Sequence, residues 1–340
     1  MKKKFYISFV VMFLCCAPIS SQTISGNKIN YGVTFSWPHC KWLFDETRSP
    51  QSVLEELASA GIKNFRLEAY WNEIQANRFS DFNTNNLDIQ LDILGKYNVK
   101  QIILCVGAKV PHWPEYHIPE WAQSLPEDEV KGKLLAYIER LVEYYSNDSR
   151  ITIWQVENEP FFSFGDKKLK PFDMDSDFFA KEVQLVKECD NLNRKIIITD
   201  SGDKSDYSLA IENADILGLS YYGISCWKGI YLNHYPLRLW RGIHTSQKWK
   251  EKIESQVDSK EWIMIELQAE PWGSDDNKFL SLEESAKSMN VKRLHKHLQF
   301  VKDTGFSEIY FWGAEWWLWM VDKGHPEMWN EVKKIIKPDE

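Results

Sequence analysis

Short apolar, β-branched runs alternate with longer amphipathic segments along almost the whole chain. The runs are Tyr31–Phe35, Asn64–Ala69, Gln101–Val106, Ile151–Val156, Lys195–Thr199, Ile216–Tyr221, Trp262–Ile265 and Glu308–Phe311. Between them apolar residues recur every three to four positions, over Ser52–Ala60, Leu87–Tyr97, Glu129–Tyr145, Asp177–Cys189, Ser246–Val257 and Val291–Asp303, with Pro326–Ile336 closing the chain. A period that switches from two, or from an unbroken apolar run, to 3.6 is the mark of βα units. Eight strands alternating with helices predict a parallel sheet, and eight in one chain of this length predict a single (β/α)8 TIM barrel rather than an open doubly wound sheet.

The punctuation agrees. Ser49-Pro50 and Pro126-Glu127-Asp128 suit helix starts, and Gly61 and Gly305 fall between a helix and the next strand, where a left-handed C-terminal residue belongs. Segments after strands are long and aromatic (Gly107–Leu125, Asn158–Asp173, Gly223–Thr245, Leu267–Glu284), whereas those before strands are short. Long loops on one rim are where a barrel keeps its site.

The first residues change the picture of the compartment. Lys2, Lys3 and Lys4 precede an apolar run, Phe5 to Leu14, and small residues follow at Ser20 and Ser21. This reads as a signal peptide over residues 1–21, too short to span a membrane, followed by one catalytic domain over 22–340. The expected location is secreted or periplasmic. A lipid anchor on Cys15 or Cys16 is the less favoured reading, because Phe13-Leu14 stands where small residues usually precede such a cysteine. Losing residues 1–21 takes three lysines from a net charge of −8 and leaves −11. An acidic chain argues against nucleic acid and anionic membranes as partners, and no obligate protein partner is implied. The four remaining cysteines, Cys40, Cys105, Cys189 and Cys226, are scattered, with no C-x-x-C pair; a Cys40–Cys226 bridge is conceivable.

Two glutamates carry the candidate chemistry. Glu159 follows the fourth apolar run in Ile153-Trp154-Gln155-Val156-Glu157-Asn158-Glu159-Pro160, and Glu266 follows the seventh in Trp262-Ile263-Met264-Ile265-Glu266-Leu267. In a closed barrel, strands four and seven face each other across the mouth. One carboxylic acid to protonate a leaving oxygen and one carboxylate to attack an anomeric carbon are what glycoside cleavage needs, and a gap of about 5–5.5 Å between them gives the retaining route. Strand alternation places Glu157 on the same face as Glu159, as a supporting partner. Glu270, four residues beyond the apolar run, is a weaker rival for the nucleophile.

With these residues in place, the chain resembles the clan A glycoside hydrolases, a group defined by Asn-Glu after strand four, matching Asn158-Glu159, and Glu after strand seven, matching Glu266. The resemblance extends over nearly the whole mature chain. Asn64-Phe65-Arg66-Leu67-Glu68-Ala69-Tyr70-Trp71 resembles the strand-two segment, in which Arg66 would brace the nucleophile. Leu217-Gly218-Leu219-Ser220-Tyr221-Tyr222 resembles strand six, whose tyrosine bonds the nucleophile; alternation from Ser220 favours Tyr222 over Tyr221. Phe311-Trp312-Gly313 resembles strand eight, whose tryptophan floors the sugar site. The resemblance implies Glu159 as acid/base and Glu266 as nucleophile.

The rim suggests sugars. Prolines bracket His112 and Trp113 in Lys109-Val110-Pro111-His112-Trp113-Pro114-Glu115-Tyr116-His117, and 16 tryptophans exceed ordinary usage. With Trp71, Trp272 and Trp312 these aromatics are expected to meet an oligo- or polysaccharide, though half or more of the strand-end tryptophans would simply pack loops. His295 and His297 are expected on a solvated helix face. No metal-ligand spacing, G-x-S-x-G elbow, P-loop or dinucleotide fingerprint is present in the sequence, so neither metal nor cofactor is implied. A β-linked neutral hexose glycan is the expected substrate class. Strand two is closer to β-galactosidase-type members, the proportions are closer to cellulases and mannanases, and Glu266-Leu267-Gln268 departs from the commoner Glu-Phe-Gly. The competing readings are a carbohydrate-binding barrel without catalysis and a metal-dependent carbohydrate esterase or deacetylase.

Overall fold

A computed structural model describes residues 29–337 apart from 79–81, 203, 235–237, 239–242 and 244. The signal-peptide segment therefore lies outside the described residues. Among the described residues ten strands occur: β1 Asn30–Thr34, β2 Asn64–Glu68, β3 Gln101–Val106, β4 Ile153–Val156, β5 Lys195–Asp200, β6 Ile216–Tyr221, β7 Ile224–Trp227, β8 Ile230–Asn233, β9 Glu261–Gln268 and β10 Glu308–Trp312. Eight of them close a parallel barrel in the order β1-β10-β9-β6-β5-β4-β3-β2, while β7 and β8 form an antiparallel hairpin in the loop after β6. The chain is a (β/α)8 barrel.

Two shells hold it together. Inside, Ile103, Ile153, Ile197, Ile216, Ile263, Ile265 and Tyr310 fill the barrel. Gly32 leaves room for the Tyr310 ring, since a Cβ there would lie 2.6 Å from it. Outside, alternate residues such as Phe65, Leu67, Leu104, Trp154 and Leu217 pack beneath the helices. Burying a branched side chain contributes about 1.5–3 kcal/mol, so the strands are held from both faces. Helix starts are capped as the sequence suggests: Ser49 accepts from Ser52 N, and Gly305 takes a left-handed φ of 104°.

One irregularity matters for function. Leu219 pairs with Met264 but Ser220 pairs with Glu266, and on the other side Ile309 pairs with Met264 while Phe311 pairs with Leu267. Ile265 is thus an extra residue, a bulge read by both neighbouring strands. A one-residue bulge reverses the inward–outward alternation beyond it. Ile263 and Ile265 point into the barrel, and beyond the bulge so do Glu266 and Gln268, while Leu267 and Ala269 join the outer core. Strand seven also runs three residues further than its apolar core predicts.

Three sequence expectations change here. The helices Trp37–Phe44 and Ala314–Asp322 were not foreseen; the first is capped by Ser36, with Pro38 in its first turn. Trp71 is fully buried, stacked on Tyr137 at 5.6 Å and edge-on to Trp121. It locks the loop after β2 onto the helix Glu127–Tyr145 and offers no surface to a substrate. His297 is buried rather than solvated, under Gly223 and beside Tyr221, while its neighbour His295 pairs with Glu331 at the surface. Cys40, Cys105, Cys189 and Cys226 are all free thiols.

Candidate active site

The C-terminal mouth of the barrel is organised by one cation. Arg66, on the inward face of β2, is fully buried. Its fork reaches β9, β4 and the turn after β4: Nη1 donates to Glu266 Oε1 at 2.7 Å, Nη2 to Asn158 Oδ1 at 2.8 Å and Nε to Gln155 Oε1 at 2.8 Å. Only a planar guanidinium with donors in a fixed fork supplies all three at once. Tyr222 Oη completes the setting of Glu266, donating to Oε2 at 2.8 Å. Tyr221, one residue earlier, packs outward against Trp249 and Phe300. One hydroxyl and one guanidinium stabilise negative charge on Glu266.

Glu159 stands in the opposite setting. Its carboxyl is buried and accepts one side-chain hydrogen bond, from Ser220 Oγ at 2.7 Å. Ser220 is also the residue opposite Glu266 in the β6–β9 register, so one residue touches both glutamates, by side chain and by backbone. Burial first, and then the negative charge of Glu266, push Glu159 up to about 7.

The chain reaches Glu159 through a turn that alternation does not describe. It leaves β4 at Val156, and Glu157 and Glu159 take left-handed φ values of 57° and 42°. Glu157 therefore points away from the mouth, contrary to the shared face expected from the sequence. Its oxygens accept from Ala108 N at 2.8 Å and Lys109 N at 2.6 Å, beneath the loop after β3. Gly107, at φ 144°, makes room, since a Cβ there would sit 2.5 Å from the Glu157 carboxyl carbon. Behind it lies Glu182 of the helix Ser176–Cys189; burial and the neighbouring Glu157 hold Glu182 well above the ordinary range, so this pair carries a proton. Lys109 closes the turn from above, its Nζ donating to Glu159 O at 2.8 Å and Phe162 O at 2.9 Å.

Asn158 is fixed on both sides. Oδ1 accepts from Arg66 and from Thr199 Oγ1 at 3.2 Å, and Nδ2 donates to Glu115 Oε2 at 3.0 Å. Glu270 does not compete with Glu266: it accepts from Trp312 Nε1 and Asn277 Nδ2, each at 2.8 Å, and so orients the Trp312 ring. His112 lies stacked between that ring, at 4.3 Å, and His39, at 4.9 Å. A second run of rings leads outward: Tyr222 edge-on to Trp272, Trp272 to Phe164, and Phe164 to Trp113, which is 65% exposed at the rim. The structure thus brings Arg66, Asn158, Glu159, Tyr222, Glu266 and Trp312 together, with His112, Trp113 and Trp272 along the walls. Sequence reasoning missed Gln155, Ser220 as a partner of Glu159, Lys109 and Glu115. Parity along β4 and β6 singles out the first two; nothing in the sequence marks the others.

Carboxyls kept neutral by burial give the fold a pH signature. Glu159 and Glu270 are pushed up to about 7, and Glu115 and Glu315 to about 8, each chiefly by burial. Buried His39, His117 and His297 are pushed down to about 4. A carboxyl raised in the folded state contributes least destabilisation while protonated, and stability falls as pH rises through its folded value; a depressed histidine does the reverse as pH falls below 6.5. Between roughly 4.5 and 6.5 the two groups oppose each other, whereas above 6.5 only the carboxyls act. The thermal midpoint is expected to fall steadily from pH 6.5 to 8.5. A midpoint that rises over that range would show that these carboxyls are not neutral in the folded protein.

No family model matches the sequence, and no curated protein matches it either. Solved structures do match in fold. A β-galactosidase from the psychrophilic Marinomonas ef1 superposes with a TM-score of 0.58 at 12% identity, over 91% of this chain. The chain spans 59% of the length of that enzyme. A GH5_18 protein from Streptomyces cattleya in complex with GlcNAc gives 0.57 at 12% identity, covering 85% of this chain and 71% of the other. A GH10 endoxylanase retrieved from a sugarcane soil metagenome gives 0.55 at 14%, covering 84% and 86%. In fold the chain is similar to the clan A glycoside hydrolases.

Proposed function

We propose that this protein hydrolyses a β-glycosidic bond of a neutral glycan with retention of anomeric configuration, Glu159 serving as acid/base and Glu266 as nucleophile. The observation that carries this reading is the contrast between two adjacent carboxyls. Glu159, buried beside Glu266 and pushed up to about 7, keeps a proton for the glycosidic oxygen; Glu266, gripped by Arg66 and Tyr222, presents a carboxylate. Two carboxyls with environments that differ in this sense are the acid/base assignment of a glycosidase.

The steps follow from the same contacts. Glu159 protonates the leaving oxygen as Glu266 attacks the anomeric carbon, and the C–O bond to the aglycone breaks. Esterified Glu266 carries no charge, so its share of the rise in Glu159 vanishes and Glu159 becomes a stronger acid. It is left ionised, ready to take a proton from the water that hydrolyses the glycosyl ester. Trp312 and His112 line the side of the mouth where the sugar would stack. The aromatic run from Trp272 to Trp113 passes through Phe164 of the loop that carries Glu159, which suits the leaving group.

The test is a panel of aryl β-glycosides and β-glycan polymers, with proton NMR of the first product formed. Turnover with the β anomer appearing first is expected. An initial α product would overturn retention, and no hydrolysis anywhere on the panel would overturn the assignment.

A further inference from the structure

The acid/base glutamate sits on a backbone that does not hold its shape unaided. Glu157 and Glu159 both take left-handed φ values, which a residue with a Cβ keeps only where its surroundings fix it. One residue, Lys109 of the loop after β3, meets all three consecutive residues of this turn. Its N donates to Glu157 Oε2 at 2.6 Å, its O accepts from Asn158 N at 2.6 Å, and its Nζ donates to Glu159 O at 2.8 Å. The same Nζ donates to Phe162 O at 2.9 Å. It thereby spans the turn Glu159-Pro160-Phe161-Phe162, which Phe162 N closes onto Glu159 O at 3.0 Å.

Two features separate this lysine from an ordinary loop anchor. It is 3% exposed, so the ammonium is buried with its stem. Both hydrogen bonds from that ammonium go to main-chain carbonyls rather than to a carboxylate, so its charge is left to act on the carboxyls around the mouth. A loop that needed only a donor would be served by a neutral amide, without the cost of burying a charge. The groups that bear on Glu159 are Glu266 of β9, Asp200 of β5, Ser220 of β6, Tyr222 just beyond it, and Glu115 and Lys109 of the loop after β3. Glu266 and Asp200 oppose ionisation of Glu159, and Lys109 is the cation set against them.

We propose that Lys109 is the positioning residue of the acid/base: it fixes the turn that aims Glu159, and it supplies the counter-charge to Glu159 in the half of the cycle in which that carboxyl is ionised. The proposal rests on the glycosidase reading and adds to it the residue through which the loop after β3 governs proton transfer. Protonation of a poor leaving group and removal of a proton from water then both depend on Lys109. Attack by Glu266, which is held by Arg66 and Tyr222, does not.

The experiment measures kcat/KM in wild type, Lys109→Met and Lys109→Gln on two aryl β-glycosides of a sugar that the wild type turns over. The dinitrophenyl glycoside has a phenolate that leaves without a proton; the phenyl glycoside has one that needs it. Lys109→Met keeps the stem and both main-chain contacts of the residue and removes the ammonium. It should lose about 30- to 100-fold on the phenyl glycoside and less than about fivefold on the dinitrophenyl one, since only the first draws on general acid catalysis. On the phenyl glycoside the alkaline limb of its kcat/KM profile should move up by about 0.5 to 1 in pH, because removing a nearby positive charge makes Glu159 harder to ionise. Lys109→Gln keeps an N–H donor for the carbonyls and carries the same test should Lys109→Met not fold; the same shift of the limb is expected, with a smaller loss of rate. Equal losses on the two glycosides, or a limb that stays in place, would reduce Lys109 to a prop of its loop and overturn the proposal alone. Failure of the wild type on every aryl β-glycoside would instead remove the glycosidase reading, and this proposal with it.

Discussion

Replacing Glu266 with glycine is expected to lower kcat by roughly 10⁴- to 10⁶-fold, the scale on which removing a covalent nucleophile acts in other hydrolases. The variant should recover part of that loss in sodium azide on an aryl glycoside with a good leaving group, giving an α-glycosyl azide. The reasoning is spatial. Deleting the side chain leaves a hole the size of a small anion at the point where Arg66 and Tyr222 still donate. Azide can occupy that hole and attack from the same face as the lost carboxylate. The product is then trapped, because azide does not leave as an esterified carboxylate would. Azide rescue yielding a β-azide, or a residual rate near that of the wild type, would place the nucleophile elsewhere. Glu270 is the first residue to examine in that event, although Trp312 and Asn277 already occupy it.

Arg66→Ala is expected to destabilise the fold by about 3–5 kcal/mol, the penalty for leaving one partner of a buried ion pair without the other. The pair is buried on both sides, with side-chain exposures of 0% for Arg66 and 6% for Glu266. Asn158 and Gln155 would lose donors at the same time. Arg66→Lys should recover little, since a single ammonium cannot reach three acceptors spread over both sides of the mouth. The informative comparison is the double variant Arg66→Ala/Glu266→Gln in a urea titration. If uncompensated charge is the chief loss, removing the carboxylate as well should return at least about 1 kcal/mol relative to Arg66→Ala alone. Strict additivity of the two single effects would show that the pair is not coupled and that Arg66 acts through packing.

How much of this was legible beforehand depended on whether local periodicity was kept. The eight barrel strands declared themselves because a strand buried on both faces must be apolar throughout, and each was followed by a helical period. Tyr222 was separable from Tyr221 because β6 runs without a bulge from Ile216 and alternation holds. Alternation failed at two places, both at the site. Glu157 turns behind the sheet because its backbone is left-handed. Glu266 faces the mouth because Ile265 is an extra residue; without that bulge the same sequence would aim Glu266 at the helices. No side-chain pattern announces either feature. Trp71 was misread for a different reason: a tryptophan beyond a strand end fits a sugar platform and a loop anchor equally well in sequence, and only its contact with Tyr137 decides. Glu115 and Lys109 were invisible because their partners lie on another strand's loop, more than forty residues away.

The hydrogen-bonded ring is closed by β1 against β10, the two barrel strands furthest apart in the chain. Every other seam joins strands that are neighbours in sequence or separated only by the β7–β8 hairpin. A chain emerging from the ribosome can therefore lay down seven-eighths of the wall and still possess two open edges. Arg66, whose strand lies one place from that seam, meets Glu266 across the opposite side of it. Closure of the cylinder therefore waits for β10, the last strand made, and a fragment cut before it would keep an open wall.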